Sequence, residues 1–149
     1  MSLDQLYQQI ILDHSKARHG SGLAATEAPD GTSTGQSHQL NPVCGDEVTL
    51  RLAVRDGKVA QVAWDGAGCS ISMASASVLT DLAEGMTVAE LHGVIDSFRE
   101  VLRSRGKVHA DPELLGDAAA FEGVARYAAR VKCAMISWVA AEDALNQAA

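Results

Sequence analysis

The clearest pattern in the chain is an alternation of large apolar residues with mostly polar ones over positions 47–55. Every second side chain there is apolar, as in a strand with one buried face: Val48, Leu50, Leu52 and Val54. Asp56 and Gly57 then provide the two-residue turn of a tight hairpin, and residues 58–65 predict the returning strand. A shorter segment at 37–40 predicts a third strand beside them. The expected sheet is therefore small, antiparallel and three-stranded.

Apolar residues at three- and four-residue spacing predict helices on both sides of this hairpin. The first helix covers residues 2–16 and opens with a Ser-x-x-Gln capping box. The second follows Gly68 and ends at Gly85, and the third runs over 87–106 with a Thr-x-x-Glu capping box. The last is expected from about 131 to 146. This order predicts an α+β fold with the helices packed on one face of the sheet.

Two long segments lack a clear period. Residues 18–39 are rich in Gly, Ser, Thr and Ala, which predicts a mobile loop. Residues 107–130 are interrupted by Asp111-Pro112 and by glycines, which predicts a loop with one or two short helical turns. Neither segment has the composition of a domain linker and no repeat is evident, so residues 1–149 are expected to form a single domain.

Charge and composition narrow the possible partners. The net charge of -7 would repel a phosphate backbone, which argues against nucleic acid as a partner. No apolar run approaches the roughly 20 residues that span a bilayer, and the N-terminal residues do not resemble a secretory signal. We therefore expect no membrane association and a cytoplasmic location. Thiols stay reduced there, so three cysteines are expected to act as ligands or nucleophiles, and not as a disulfide framework.

Each cysteine lies next to a predicted boundary between elements. Cys44 is in a turn before a strand, Cys69 starts a helix, and Cys133 is expected in the first turn of the last helix. A helix start stabilises a thiolate, so acidic thiols are expected at Cys69 and Cys133. Asp46 lies two residues beyond Cys44 and can point the same way, as a fourth ligand for tetrahedral zinc. Without CxxC spacing, three unrelated buried cysteines remain the alternative.

The segments around the three cysteines resemble the cysteine motifs of the U-type iron-sulfur cluster assembly family. They read NPVCGDEVTLRL from Asn41, DGAGCSISMASASVL from Asp65 and ARVKCAMISW from Ala129. The opening LYQQIILDHSKARHGSG is similar to the first helix of that family and its following turn. The resemblance spans nearly the whole chain, and it implies an α+β fold with a metal site at one end.

Two branches of that family differ near the third cysteine. The scaffold branch has a His directly before it and a Pro-rich chaperone-docking segment upstream, whereas this chain has Lys132 and no proline over 124–132. Cys69 and Cys133 are 64 positions apart, and Arg130 precedes the latter by three. These features resemble the SufU-like, zinc-dependent sulfurtransferase branch.

The resemblance implies that zinc is held by Cys44, Asp46, Cys69 and Cys133. It also implies that the protein takes persulfide sulfur from a pyridoxal-phosphate-dependent (PLP-dependent) cysteine desulfurase of SufS type, for downstream iron-sulfur assembly proteins. Cys44 is the expected acceptor, because its turn is less constrained than the two helix sites. Arg130 is expected to support the thiolates or contact the persulfide; a solvated arginine at a helix start is the alternative.

Two other functions use the same residues. One is a scaffold that assembles a 2Fe-2S cluster, and the other is a structural zinc module, which a core of this size does not need. Ser70 and Ser72 have no visible His and Asp partners, which argues against a hydrolase. The remaining histidines are expected at the surface: His19, His38, His92 and His109. Because Ser15, Ala17 and Arg18 depart from the family's pattern, His14 receives no role.

Overall fold

The computed structural model describes residues 2–149. The chain forms, in order, α1 (Leu3–Ala17), β1 (Ser33–Asn41), β2 (Asp46–Arg55), β3 (Lys58–Ala67), α2 (Ser70–Ala83), α3 (Val88–Arg103), α4 (Pro112–Leu115) and α5 (Ala128–Ala148). Short 3-10 helices lie at Leu23–Ala25 and Gly116–Arg126. The capping boxes predicted for the first and third helices are both present at the starts of α1 and α3.

The three strands form one antiparallel sheet in the order β1-β2-β3, as predicted. Asp56 and Gly57 both have positive φ angles, 55° and 74°, which suit the tight hairpin between β2 and β3. Leu50 faces Ser37 on one side and Trp64 on the other. This register puts the apolar side chains of β2 and β3 on one buried face of the sheet.

The helices cover that face. α5 packs against β1 and β2, and α2 packs against β3. In the core, the ring of Trp138 stacks on Phe98 at 3.9 Å between centroids, and its indole N–H donates to Ser75 Oγ at 2.8 Å. All residues from Met73 to Ser77 are buried, as expected for small-residue packing in this helix. The predicted α+β architecture is confirmed.

The expected loop over 18–39 is in part wrong, because β1 begins at Ser33. Its inward positions carry small residues that do not stand out as a strand pattern. Gly35 lies directly under α5, where an added Cβ would overlap the carbonyl oxygen of Ala144. The backbone of Gln36 exchanges two hydrogen bonds with the side-chain amide of Gln147. β1 is therefore specified by contact with α5, which local sequence does not show.

The expected loop over 107–130 is also more ordered than predicted. It holds α4 and an eleven-residue 3-10 helix whose residues Ala118, Ala119, Ala120 and Phe121 are buried. α5 begins at Ala128 rather than at 131, because Ala128 to Arg130 are good helix formers. No helix among residues 2–149 is long and apolar enough to cross a membrane.

Candidate metal centre

A tight turn between β1 and β2 positions Cys44. Gly45 has a φ of 73°, and its N–H donates to the carbonyl of Asn41 at 2.8 Å. The side-chain oxygen of Asn41 accepts from the N–H of Val43 at 3.1 Å. These contacts hold the turn and leave Cys44 exposed. The thiol therefore lies at the end of the sheet, where a partner protein can reach it.

Asp46 is the first residue of β2, and it is 1% exposed. Its carboxylate accepts from Ser72 Oγ at 2.6 Å, from the Cys69 N–H at 3.0 Å and from Cys44 Sγ at 3.1 Å. Burial alone would raise the pKa of Asp46, but hydrogen bonds from Cys133 and these three groups outweigh it and lower the pKa. Asp46 is thus an ionised carboxylate held in a fixed orientation, and it remains a candidate metal ligand.

A glycine makes room for this carboxylate. A Cβ added at Gly68 would overlap the Oδ1 atom of Asp46. Gly68 directly precedes Cys69, whose backbone N–H donates to the Asp46 carboxylate. The absence of a side chain at Gly68 lets the carboxylate approach this backbone closely. The glycine before the second cysteine is therefore needed for the approach of β2 to the start of α2.

Cys69 and Cys133 reach the same point from two helices. Cys69 is the N-cap residue of α2, as predicted. Burial would raise the pKa of its thiol, but hydrogen bonds from the hydroxyl and backbone of Ser72 outweigh it and lower the pKa. Cys133 lies in the second turn of α5, where burial and its hydrogen bond to Asp46 raise the thiol pKa. The expected acidity of Cys133 from a helix start is therefore wrong, since that effect is confined to the first turn.

The ligand atoms of Cys44, Asp46 and Cys133 lie within 4.8 Å of one another. The Sγ atoms of Cys44 and Cys133 are 3.7 Å apart, and two thiolates bound at about 2.3 Å to tetrahedral zinc lie roughly 3.8 Å apart. Asp46 Oδ2 is 3.1 Å from the Cys44 sulfur and 3.9 Å from the Cys69 sulfur. The corresponding oxygen-to-sulfur distance around zinc is roughly 3.5 Å. Cys44, Asp46 and Cys133 therefore fit three positions of a tetrahedral zinc site at one end of the sheet, whereas the Cys69 sulfur approaches Asp46 but lies outside this group of three.

Arg130 lies one helical turn before Cys133, with its side chain at the surface. It lines a cavity of about 500 Å³ together with Tyr7, Ile71 and Tyr127. Within residues 2–149 its guanidinium makes no hydrogen bond or ion pair. Ile71 is two residues beyond Cys69 in the chain, but none of the three cysteines lines this cavity. The role of Arg130 in sulfur transfer stays a prediction.

Sequence reasoning missed Ser72. It was considered only as a hydrolase nucleophile, whereas its hydroxyl donates to Asp46 at 2.6 Å and lies 3.5 Å from the Cys69 sulfur. Its position three residues after Cys69 is the one signal in the sequence, because a residue three after an N-cap faces back toward it. Ser72 fixes the orientation of the Asp46 carboxylate, a candidate metal ligand.

The histidines differ in burial. The side chains of His19, His38 and His109 are about half exposed or more, as expected, and each contacts a carboxylate. His14, which received no role, is 7% exposed. It lies beside His19, with 5.4 Å between ring centroids. This pair is remote from the thiols along the chain and in the fold.

Comparison with known proteins shows the family. Residues 6–134 match the model of the NifU-like N-terminal domain. The chain belongs to the NifU-like N-terminal domain family. A relative from Bacillus subtilis (strain 168), named zinc-dependent sulfurtransferase SufU, is 36% identical over 95% of this chain and 90% of its own. Another from Streptococcus pyogenes serotype M1, named iron-sulfur cluster assembly scaffold protein IscU, is 33% identical over 99% of this chain and 87% of its own.

Solved structures of this family have the same fold. The crystal structure of FiSufU from Fervidobacterium islandicum AW-1 has a TM-score of 0.74 at 30% identity, and the match covers 97% of this chain and 99% of that one. The N-terminal part of a NifU-like protein from Brucella abortus has a TM-score of 0.77 at 28% identity, over 97% of this chain and 95% of that one. Family and fold are thus those that the cysteine motifs predicted.

Proposed function

We propose that this protein is a zinc-dependent sulfur acceptor that takes persulfide sulfur from a PLP-dependent cysteine desulfurase for iron-sulfur cluster assembly. The observation that carries the proposal is the convergence of three thiols on the buried carboxylate of Asp46, with one of them, Cys44, exposed. The Bacillus subtilis relative named zinc-dependent sulfurtransferase SufU supports it.

The proposed reaction is thiol-persulfide exchange at Cys44. Zinc, when bound by Cys44, Asp46, Cys69 and Cys133, would favour thiolates and protect them from oxidation. The Cys44 thiolate attacks the outer sulfur of the donor persulfide, so that a new S–S bond forms at Cys44. The S–S bond of the donor breaks, and the desulfurase cysteine leaves as a thiolate, so no external oxidant or reductant is needed.

Cys44 is favoured over the other thiols by access. Its side chain is exposed on a turn, whereas Cys69 is partly buried and Cys133 is buried. Cys133 also has a raised thiol pKa, which makes it the poorest nucleophile of the three when no metal is bound. An incoming persulfide on a partner protein therefore meets Cys44 first.

Arg130 is proposed to orient the incoming partner or its persulfide from the neighbouring cavity. Replacing it by Ala is expected to slow sulfur transfer about tenfold, while thermal stability stays unchanged because the side chain is exposed. Single-turnover transfer from a persulfidated desulfurase measures the effect. Arg55→Ala is the control, because Arg55 is an exposed arginine at the end of β2 that is farther from Cys44. Equal rates for Arg130→Ala, Arg55→Ala and the unaltered protein would show that Arg130 is a solvated surface residue without a role in sulfur transfer.

A second candidate function is a scaffold that assembles a 2Fe-2S cluster on Cys44, Asp46, Cys69 and Cys133. The Streptococcus pyogenes relative, named a scaffold protein, supports it at a similar identity. Lys132 directly precedes Cys133 on the exposed side of α5. Because the scaffold branch carries His at that position, Lys132 favours the sulfurtransferase.

Elemental analysis of the purified protein separates the two functions. After dialysis against a mild chelator, we expect one tightly held zinc ion per chain and neither iron nor acid-labile sulfide. Anaerobic incubation with a desulfurase, cysteine and ferrous iron is then expected to yield a persulfide on the protein without the visible absorption of a cluster. Iron and sulfide in stoichiometric amounts would favour the scaffold instead.

A further inference from the structure

A second group of metal-ligating side chains lies away from the thiols. His14 is in the last turn of α1, and His19 lies in the loop just after that helix. Asp81 is in the last turn of α2. One ligand atom from each of the three lies within 4.8 Å of the other two. Along α2, Cys69 and Ser77 are separated by roughly 12 Å, since a helix rises about 1.5 Å per residue. The two groups share no residue.

His14 is held by hydrogen bonds at both ring nitrogens. Its side chain is 9% exposed, and its Nε2 lies 3.0 Å from the carboxylate of Asp117. An ionised carboxylate only accepts hydrogen bonds, so Nε2 carries the hydrogen and Nδ1 presents its lone pair. Nδ1 lies 2.8 Å from Ser77 Oγ, which in turn accepts from the backbone N–H of His19 at 3.0 Å. The Nδ1 lone pair of His14 thus accepts the hydrogen of the Ser77 hydroxyl, whose oxygen also holds the backbone N–H of His19.

His19 is fixed through its backbone at both ends. Its N–H donates to Ser77, and its carbonyl accepts from the indole N–H of Trp64 at 2.7 Å. The preceding Arg18 has a left-handed backbone with a φ of 50°. The imidazole then lies with Nδ1 at 2.7 Å from the Asp81 carboxylate. The turn after α1 is therefore preorganised to place a second imidazole beside His14.

We propose that His14, His19 and Asp81 form a second metal site, which binds a divalent transition-metal ion such as Zn²⁺. Two imidazoles and one carboxylate are a ligand set that zinc and ferrous iron accept, and they leave positions open for water. The metal ion would take the place of the hydrogen between His19 and Asp81. At His14 it would take the place of the hydrogen that the Ser77 hydroxyl donates to Nδ1, and that hydroxyl would turn away. Asp117 would act as the outer carboxylate that orients His14, as partners of metal-bound histidines usually do.

Comparison within the molecule supports this assignment over simple ion pairs. His38 contacts Glu47, and His109 contacts Glu122, each as an isolated imidazole and carboxylate. In the part of the chain that the structure describes, only two groups combine three ligands within 4.8 Å, and this is the one that contains histidine. A buried imidazole with an oriented second nitrogen distinguishes it from the surface pairs.

Zinc titration followed by the imidazole signals in nitrogen-15 NMR tests the proposal. The thiol site contains no histidine, so these signals report on the second site alone, whatever metal the thiols hold and whether or not sulfur transfer occurs. As zinc is added to protein whose thiol site is already loaded, we expect the His14 and His19 signals to shift together and saturate at one further zinc per chain. The His109 signals are expected to stay in place.

Two variants and a control complete the test. His19→Ala and Asp81→Asn change side chains that are about half exposed, so both are expected to fold. Loss of an outer partner weakens metal binding by about 10–100-fold, so loss of a direct ligand is expected to cost at least about 100-fold. His109→Ala removes a histidine from an isolated pair and should leave the affinity unchanged. Absence of a coupled shift of His14 and His19, or unchanged affinity in both variants, would overturn the site.

Discussion

Replacing Cys44 by Ser is expected to abolish persulfide capture while the fold stays intact. Serine is nearly isosteric with cysteine but gives no thiolate at neutral pH, so the attack on the outer sulfur of the donor is lost. Cys44 is exposed on a turn and supports no core contact, so the far-UV circular dichroism spectrum should not change. After incubation with desulfurase, PLP and cysteine, intact mass measured without reductant should lack the adduct of about 32 Da that one transferred sulfur adds.

Val43→Ala is the matched control for that experiment, because Val43 lies in the same turn and is 88% exposed. It should accept sulfur like the unaltered protein. If Cys44→Ser carries the adduct at the level of the control, the acceptor is Cys69 or Cys133, and the assignment based on exposure is wrong. Mapping the adduct by peptide fragmentation would then identify the cysteine.

Asp46→Ala is expected to weaken zinc binding by at least about 100-fold while Cys44 still accepts sulfur. The change removes the one oxygen ligand of the proposed site and leaves three thiols. It also leaves the Ser72 hydroxyl and the Cys69 N–H without their buried acceptor, which costs about 1–3 kcal/mol of stability. Competition with a chromophoric chelator measures the affinity, and thermal unfolding measures the stability.

Two further variants separate ligand loss from structural damage. Asp46→Asn keeps one acceptor oxygen, which can replace either the Oδ2 that accepts from Ser72 or the Oδ1 that accepts from Cys69, but it removes the charge. It should therefore recover part of the stability and little of the zinc affinity. Glu47→Gln neutralises the next acidic residue, which faces His38 at the surface, and should change neither. Unaltered zinc affinity in Asp46→Ala would remove Asp46 from the ligand set.

The elements with a strong local signal were predictable from sequence. The β2–β3 hairpin has an alternating pattern and a two-residue turn, and the starts of α1 and α3 have capping boxes whose partners are three residues apart. By contrast, β1 and the 3-10 helix Gly116–Arg126 are rich in small residues, whose burial depends on distant parts of the chain. A glycine is needed at position 35 because the backbone of Ala144, more than 100 residues away, packs closely against it.

The same division holds for the candidate sites. The sequence by itself determined the family and the proximity of Cys44 and Asp46, because residues two positions apart in an extended chain lie on the same side. It also predicted the candidate metal ligands. Only the tertiary structure decided that Cys133 lies in the second turn of α5, where burial raises its thiol pKa. Only the tertiary structure placed the imidazole ring of His14 beside that of His19. Local pattern records the conformation of a segment, whereas burial and ligand geometry arise from contacts between segments far apart in sequence.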